Sequence, residues 1–471
     1  MNHSKSLARV LLASTALLAT AAWAQSAPQA GGRKARRAAL SAPAAAPQAD
    51  SFETRVNGIR LQLGNSPIQI AAPLAPNVYP LTFNDTGTTW QEPVLLGVPR
   101  VPQPSAPLLV MFHSFGISES DCLQNSGLMK RAMDRGWYVL APRGAHDMNF
   151  GVPYSQANIE FVLDWLVGFL SIDSNRIFGA GFSMGGGGAA SYAARHLDPT
   201  RPMFAAVVNH TGGVSVANSY WNESSLVQDI LENVEMFGAS PAINPFRYNQ
   251  ASVVDIDPVT LGVDPATDMA RNLAQIPFET SYATMDPLAY LTVQSTTFHS
   301  WMTALPASTS LVAIDAAGHS WGTLDEEAAL DFLEAQSLTI PRDGTHRLIA
   351  DREGAWMHFT IEQDAPDAFT PFRWNLNTGL NRLVVDQTAN LERITADTVA
   401  LGLDTQALLT VIPGAQDGLP EEIRLTGYAS MPSNVLRNGQ ATSDWSFDQN
   451  TGALTLFESS PGNYPQWVVI P

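Results

Sequence analysis

The chain has 471 residues, 44 of them acidic and 26 basic, for a formal charge of −18, and 45% are hydrophobic. Such a surface repels phosphate polyanions, which argues against a nucleic-acid partner, and with lysine only at Lys5, Lys34 and Lys130 there is no phosphate-cradling P-loop. A single cysteine, Cys122, excludes an internal disulfide and reads as a small buried hydrophobe, so core packing must hold the fold together.

Lys5 and Arg9 precede an apolar run from Val10 to Ala21 and a small-x-small site at Ala22-Trp23-Ala24, so residues 1–24 read as a signal peptide for a periplasmic or secreted protein. Its loss leaves 24 basic residues against 44 acidic ones, a charge of −20. That run is too short to span a bilayer, and no later window reaches the ~20 apolar residues a membrane span needs. Residues 25–50, rich in Ala and Pro around Arg33, Lys34, Arg36 and Arg37, have too little apolar surface to bury and are expected to be a disordered leader. Asn57-Gly58, between Phe52-Glu53-Thr54-Arg55-Val56 and Ile59-Arg60-Leu61-Gln62-Leu63, then signals a hairpin.

From residue 108 strands and helices alternate. Leu108-Leu109-Val110-Met111-Phe112 is a buried strand, a helix follows around Gly127 to Arg135, and Trp137-Tyr138-Val139-Leu140 is the next strand. Ser155 to Ser171 places Ile159, Val162, Leu163, Leu166, Phe169 and Leu170 at helical spacing. Further strands are expected at Arg176 to Phe182, Phe204 to Val208, Phe278 to Tyr282 and Ser310 to Ile314, and Thr323-x-x-Glu326 reads as a capping box on the last helix. The alternation predicts an α/β fold with a mostly parallel sheet covered by helices on both faces across 51–340. Between about 212 and 275 the rhythm is lost, which fits a cap-like insertion. After Pro341 short alternating runs and the turn signals Asn438-Gly439 and Asn450-Thr451-Gly452 predict a C-terminal β-sandwich domain over 341–471.

The chemistry concentrates at Gly181-Phe182-Ser183-Met184-Gly185, where an apolar strand runs into Gly-x-Ser-x-Gly and a helix of small residues. The turn is so tight that side chains at the glycine positions would collide with backbone, and it presents Ser183 as a nucleophile. A serine hydroxyl needs a base and the base an orienting acid. His319, in the loop past the last predicted strand, is the expected base. Asp286, after the preceding strand, is the expected acid, with Asp264 and Asp268 as substitutes, whereas Asp315 stands too close to His319 in the chain. Two backbone N–H groups must meet the oxyanion, and Met184 and Phe115 are the expected donors. His113 reads as a structural imidazole, while His146, His196, His210, His299, His346 and His358 read as ordinary surface or loop residues. Tyr154, Trp221 and Trp301 are candidate substrate-pocket residues.

At these residues the chain resembles the α/β-hydrolase superfamily, with Gly181 to Gly185 as the nucleophile elbow and His113-Ser114-Phe115-Gly116 standing where many members carry His-Gly. The resemblance covers 51–340 and looks closest to the secreted esterase and polyester-depolymerase-like branch, which implies ester hydrolysis through an acyl-enzyme. Ser114 in place of the usual glycine departs from the pattern.

No cofactor or metal is expected: Gly179-x-Gly181-x-x-Met184 lacks the third small residue of a dinucleotide fingerprint, and no zinc-binding pattern is present. The expected partner is a small or polymeric ester, with a possible role for the C-terminal domain in holding a polymer or carbohydrate. A serine peptidase of the same fold and a non-catalytic binding protein are the alternatives.

Overall fold

The computed structural model describes residues 68–84, 91–101 and 103–471. The expected signal peptide, leader and Asn57-Gly58 hairpin lie outside them. Nine strands form the main sheet: β1 (Ile68–Ile70), β2 (Val78–Asn84), β3 (Gln91–Gly97), β4 (Ala106–Phe112), β5 (Tyr138–Pro142), β6 (Ile172–Phe182), β7 (Ala206–His210), β8 (Phe278–Met285) and β9 (Thr309–Ala317). Their spatial order is β1-β2-β3-β5-β4-β6-β7-β8-β9. The first three pair antiparallel, β3 pairs antiparallel with β5, and every pair from β5 to β9 is parallel. β4, β5 and β7 are buried along their whole length, as strands covered on both faces must be, which is why they read as continuous apolar runs.

The order of strands fixes where a site belongs. The chain leaves β4 for β5 on one side, then crosses through helix α1 (Pro153–Phe169) to β6 on the other side of β4. The loops after β4 and β6 therefore diverge and leave a crevice at the carboxyl ends of these strands, where open α/β sheets bind ligands. Helix α2 (Met184–Arg195) follows β6 and is buried at every residue. The segment between β7 and β8 carries the short helices α3 (Val216–Asn222), α4 (Ser225–Leu231) and α5 (Pro245–Ala251), which share an apolar cluster of Val216, Tyr220, Leu231, Phe237 and Tyr248 with Val152. Helix α6 (Ala289–Ala304) then runs back from the end of β8 to the start of β9, and α7 (Glu326–Glu334) closes this part.

The capping box is a correction. Asp325 caps α7 by accepting from the Ala328 N–H at 3.1 Å, while Thr323 sits in a preceding 3-10 turn. Glu326 reaches across instead to the Gly127 N–H at 2.7 Å and to Arg131 at 2.9 Å, docking α7 against the helix at Leu128–Asp134. Asp325, two positions after Thr323 and directly before the first helical residue, is the one placed to reach the free helix N–H groups.

Residues 344–470 form a seven-stranded and a six-stranded sheet stacked face to face, with Trp374 of one against Phe359 of the other at 5.3 Å between ring centroids. The strand Thr370–Asn377 alternates between buried and part-exposed positions, the period expected of a sandwich. Asn438 (φ 52°) and Gly439 (φ 78°) make the two-residue hairpin turn foreseen there. One apolar cluster runs without a break from Val110, Tyr192 and Leu197 to Leu348, Trp356 and Phe359 of this second unit. The contact is polar as well: Asn272 donates to the carbonyls of Ala194 and Ile349 and accepts the Ile349 N–H, and Arg195, at the end of α2, pairs with Asp351, both fully buried.

Candidate active site

The elbow is built by close approach. A Cβ on Gly181 would lie 2.1 Å from the Gly185 oxygen, and one on Gly185 would lie 2.2 Å from the Phe112 oxygen, so neither position admits a side chain. Gly186 and Gly187 face Asn209 and Gly213 as closely, which accounts for a glycine run at a helix start despite its cost in helix propensity. Ser183 itself has φ 58° and ψ −123°, a conformation an L-residue adopts only under constraint. Its N–H donates to the His210 carbonyl at 3.0 Å, and its own carbonyl accepts from Gly186 and Gly213, which locks the turn.

His319 Nε2 lies 2.8 Å from Ser183 Oγ, and His319 Nδ1 lies 2.8 Å from Asp286 Oδ2. Three residues far apart in the chain thus form one hydrogen-bonded line. The Asp286 side chain is 1% exposed and that of His319 17%, so the acid is withdrawn from water while the imidazole edge stays reachable. Asp286 Oδ1 accepts the Leu288 N–H at 2.8 Å, which uses the second oxygen and fixes the carboxylate plane. The two substitute acids lie elsewhere: Asp268 caps the 3-10 helix Met269–Gln275, and Asp264 accepts from the Ala266 N–H in an exposed loop.

Phe115 and Met184 are joined through Phe150. The Phe115 ring lies 5.4 Å from that of Phe150, whose N–H reaches Met184 Sδ at 3.3 Å. Neither the Phe115 nor the Met184 backbone N–H has an acceptor among the described residues, whereas the neighbouring Ser114 and Gly116 N–H groups are bonded to Asp121 and to the Asp147 carbonyl. His113 has the structural place foreseen for it, its Nε2 2.7 Å from the Arg143 carbonyl.

Other residues depart from expectation. Trp301 sits near the end of α6, by the start of β9, at the opposite end of the sheet from Ser183, where it lines a groove with Leu261, Val263 and Thr296. Trp221 lines a second groove among the helices between β7 and β8, beside Pro245, Asn249 and Asp255. Neither groove contains a residue of the Ser-His-Asp line, and Tyr154 packs against the apolar cluster of Val152, Val216 and Tyr220. The Tyr154 hydroxyl lies 2.6 Å from His146 Nε2, and because His146 Nδ1 accepts the Met148 N–H, the proton on Nε2 points to the tyrosine oxygen. Burial depresses His146 to a pKa of about 4, so the ring is neutral at pH 7.

Three histidines read as ordinary are built in. His146 orients Tyr154, and His196 is stacked on Tyr192 and bonded to Glu160. His210 lies fully buried at the end of β7, with Thr323 Oγ1 2.8 Å from Nε2 and Ser281 Oγ 3.0 Å from Nδ1, and burial holds its pKa down at about 4. It supports the loop that carries His319. Phe182, the variable residue before Ser183, is also more than filler: its ring lies 4.4 Å from His319 and 5.7 Å from Trp321 and forms a wall for the imidazole. Strand alternation from Ala180 was the available signal, since it points residue 182 to the face that receives the β9 loop.

No family model matches the sequence, nor does any curated protein. Among solved structures the chain is similar to an S-formylglutathione hydrolase from Agrobacterium tumefaciens, at 17% identity over 56% of this chain and 99% of that one, with a TM-score of 0.42. It is similar also to an acetyl xylan esterase from Paenibacillus sp. R4 (15% identity, 64% and 99%, TM-score 0.39) and to the acylaminoacyl peptidase of Pyrococcus horikoshii (16% identity, 61% and 44%, TM-score 0.41).

Proposed function

We propose that the protein is a serine hydrolase acting on carboxylic esters, with Ser183 as nucleophile, His319 as base and Asp286 as the acid that orients it. The observation that carries this reading is the pair of 2.8 Å contacts joining Ser183, His319 and Asp286. Ser183 Oγ attacks the acyl carbon while His319 Nε2 takes its proton, and Asp286 stabilises the imidazolium that results. The N–H groups of Phe115 and Met184 receive the charge that grows on the carbonyl oxygen. Collapse returns the proton from His319 to the departing alcohol and leaves an ester on Ser183. Water, deprotonated by the same imidazole, then attacks that ester and frees the acid and Ser183.

Phe115, Phe150 and Met184, grouped beside the nucleophile turn, favour an apolar acyl group as the substrate's acid part. The protein is read as exported, with 1–24 as signal peptide, 51–340 as the catalytic domain and 341–471 as a β-domain seated against it. Among the described residues no helix is long and apolar enough to cross a membrane.

A fluorophosphonate probe tests the core of the proposal and is expected to label Ser183 in the folded protein. Absence of labelling would instead favour a binding protein that keeps the fold. Turnover of p-nitrophenyl esters against peptide anilides separates esterase from peptidase, with esters expected to react faster by at least ~100-fold, since their alcohol leaves without the protonation an amine requires.

A further inference from the structure

Asp121 touches neither Ser183 nor His319, yet both of the loops that serve them converge on it. It opens the short helix Asp121–Gln124 and is 1% exposed. One of its oxygens, Oδ2, accepts the Ser114 N–H at 2.8 Å, the Ser114 hydroxyl at 2.7 Å and the indole N–H of Trp321 at 3.0 Å. The other, Oδ1, accepts from Asn125 Nδ2 at 2.8 Å. Ser114 immediately precedes Phe115, one of the two oxyanion donors, and Trp321 stands two residues after His319 with its ring against Phe182.

We propose that Asp121 is a positioning residue whose single carboxylate oxygen ties the oxyanion loop to the histidine loop and so sets the distance between donor and base. The proposal rests on the serine-hydrolase reading. Four donors on one side chain require an acceptor with no hydrogens of its own, and an ionised carboxylate is the one side chain with that capacity. Burial raises the Asp121 carboxyl, but the hydrogen bonds from Asn125, Ser114 and Trp321 outweigh it and hold it below the ordinary carboxylate range, so it is charged at neutral pH. Ser114 has its explanation here as well. Glycine at that position keeps the N–H but has no hydroxyl to give to the shared oxygen.

The test is Asp121→Asn, whose amide turns two hydrogens toward groups that are themselves donors. Turnover of p-nitrophenyl acetate is measured per site titrated by fluorophosphonate, so that unfolded molecules do not count. The expected result is a kcat per titrated site lower by about 100-fold, the penalty typical of a displacement near 1 Å, with KM within about threefold of the wild type. Trp321→Phe and Ser114→Ala each remove one donor and are expected to lower the same rate about 3- to 10-fold. In the Asp121→Asn, Trp321→Phe double variant the loss should match that of Asp121→Asn alone within about twofold, because both act through one bond.

A purely structural role predicts fewer titratable sites at an unchanged rate per site, and that result overturns the proposal, as does a double variant whose losses multiply. If Asp121→Asn does not fold, wild-type rates per site in both single-donor variants overturn it equally. A wild-type protein that the probe fails to label removes the serine-hydrolase reading and this one with it, whereas a labelled, active wild type beside an equally active Asp121→Asn variant removes this one alone.

Discussion

Replacing Asp286 by Asn keeps the shape of the side chain and exchanges one oxygen for an amide nitrogen. In the native protein both oxygens accept, one from His319 Nδ1 and one from the Leu288 N–H, each at 2.8 Å. Asparagine has one acceptor for those two donors. If its oxygen stays with Leu288, the NH2 faces Nδ1, forces the imidazole proton onto Nε2 and leaves nothing to accept the proton of Ser183. If the oxygen turns to His319, the NH2 is pressed against the Leu288 N–H and that donor loses its acceptor. Both outcomes also delete the charge that steadies the imidazolium. At 2.8 Å and an effective dielectric near 20, that attraction is about 6 kcal/mol, or roughly 10⁴-fold in rate. The assay is kcat for p-nitrophenyl acetate hydrolysis, with Asp264→Asn as a control expected to stay within about twofold of wild type. An Asp286→Asn enzyme that keeps a tenth of the native kcat would refute the assignment of the acid.

Further expectations concern the elbow and the buried charges. Gly185→Ala should be insoluble or destabilised by about 2–4 kcal/mol in urea unfolding, since its Cβ meets backbone at 2.2 Å, whereas Gly188→Ala, whose nearest neighbour is a phenyl carbon at 3.4 Å, should be tolerated. Ser183→Gly should unfold at a higher urea concentration than Ser183→Ala, by about 1 kcal/mol, because glycine adopts a φ of 58° without strain. Glu421, buried beside Thr388, has its pKa raised by burial from 4.5 to about 7. The folded state therefore holds this proton more tightly than the unfolded one, and stability is lost as pH rises from about 4.5 to 7. Glu421→Gln should match wild type near pH 4 and exceed it by up to about 3 kcal/mol at pH 8, measured by urea unfolding at both pH values.

What could be read from residues alone was whatever short-range sterics dictate. A glycine-flanked serine between a strand and a helix admits few geometries, and apolar runs such as Leu108 to Phe112 mark strands buried on both faces, so the sheet and the Ser, Asp, His order followed. Residues whose roles arise only when distant segments meet were hidden. Asp121 and His210 carry no local signature, because their partners Trp321 and Thr323 lie some hundred or more positions away in sequence. Which grooves Trp221 and Trp301 would line was hidden too, because an aromatic side chain carries no local signal of the segments it will meet. The capping box failed by competition, with Asp325 taking the free N–H and Glu326 engaging another helix.

The pairing of Arg195 with Asp351 has an evolutionary corollary. The helix that begins at the nucleophile ends on a guanidinium whose counter-ion belongs to the β-rich half, in a place water does not reach. Cutting the chain near residue 341 would take away the counter-ion of Arg195 and bare the apolar surface that meets Trp356 and Phe359. The two halves therefore cannot be shuffled freely among other proteins, as a tethered appendage can, and changes at their seam are expected to be inherited as matched pairs.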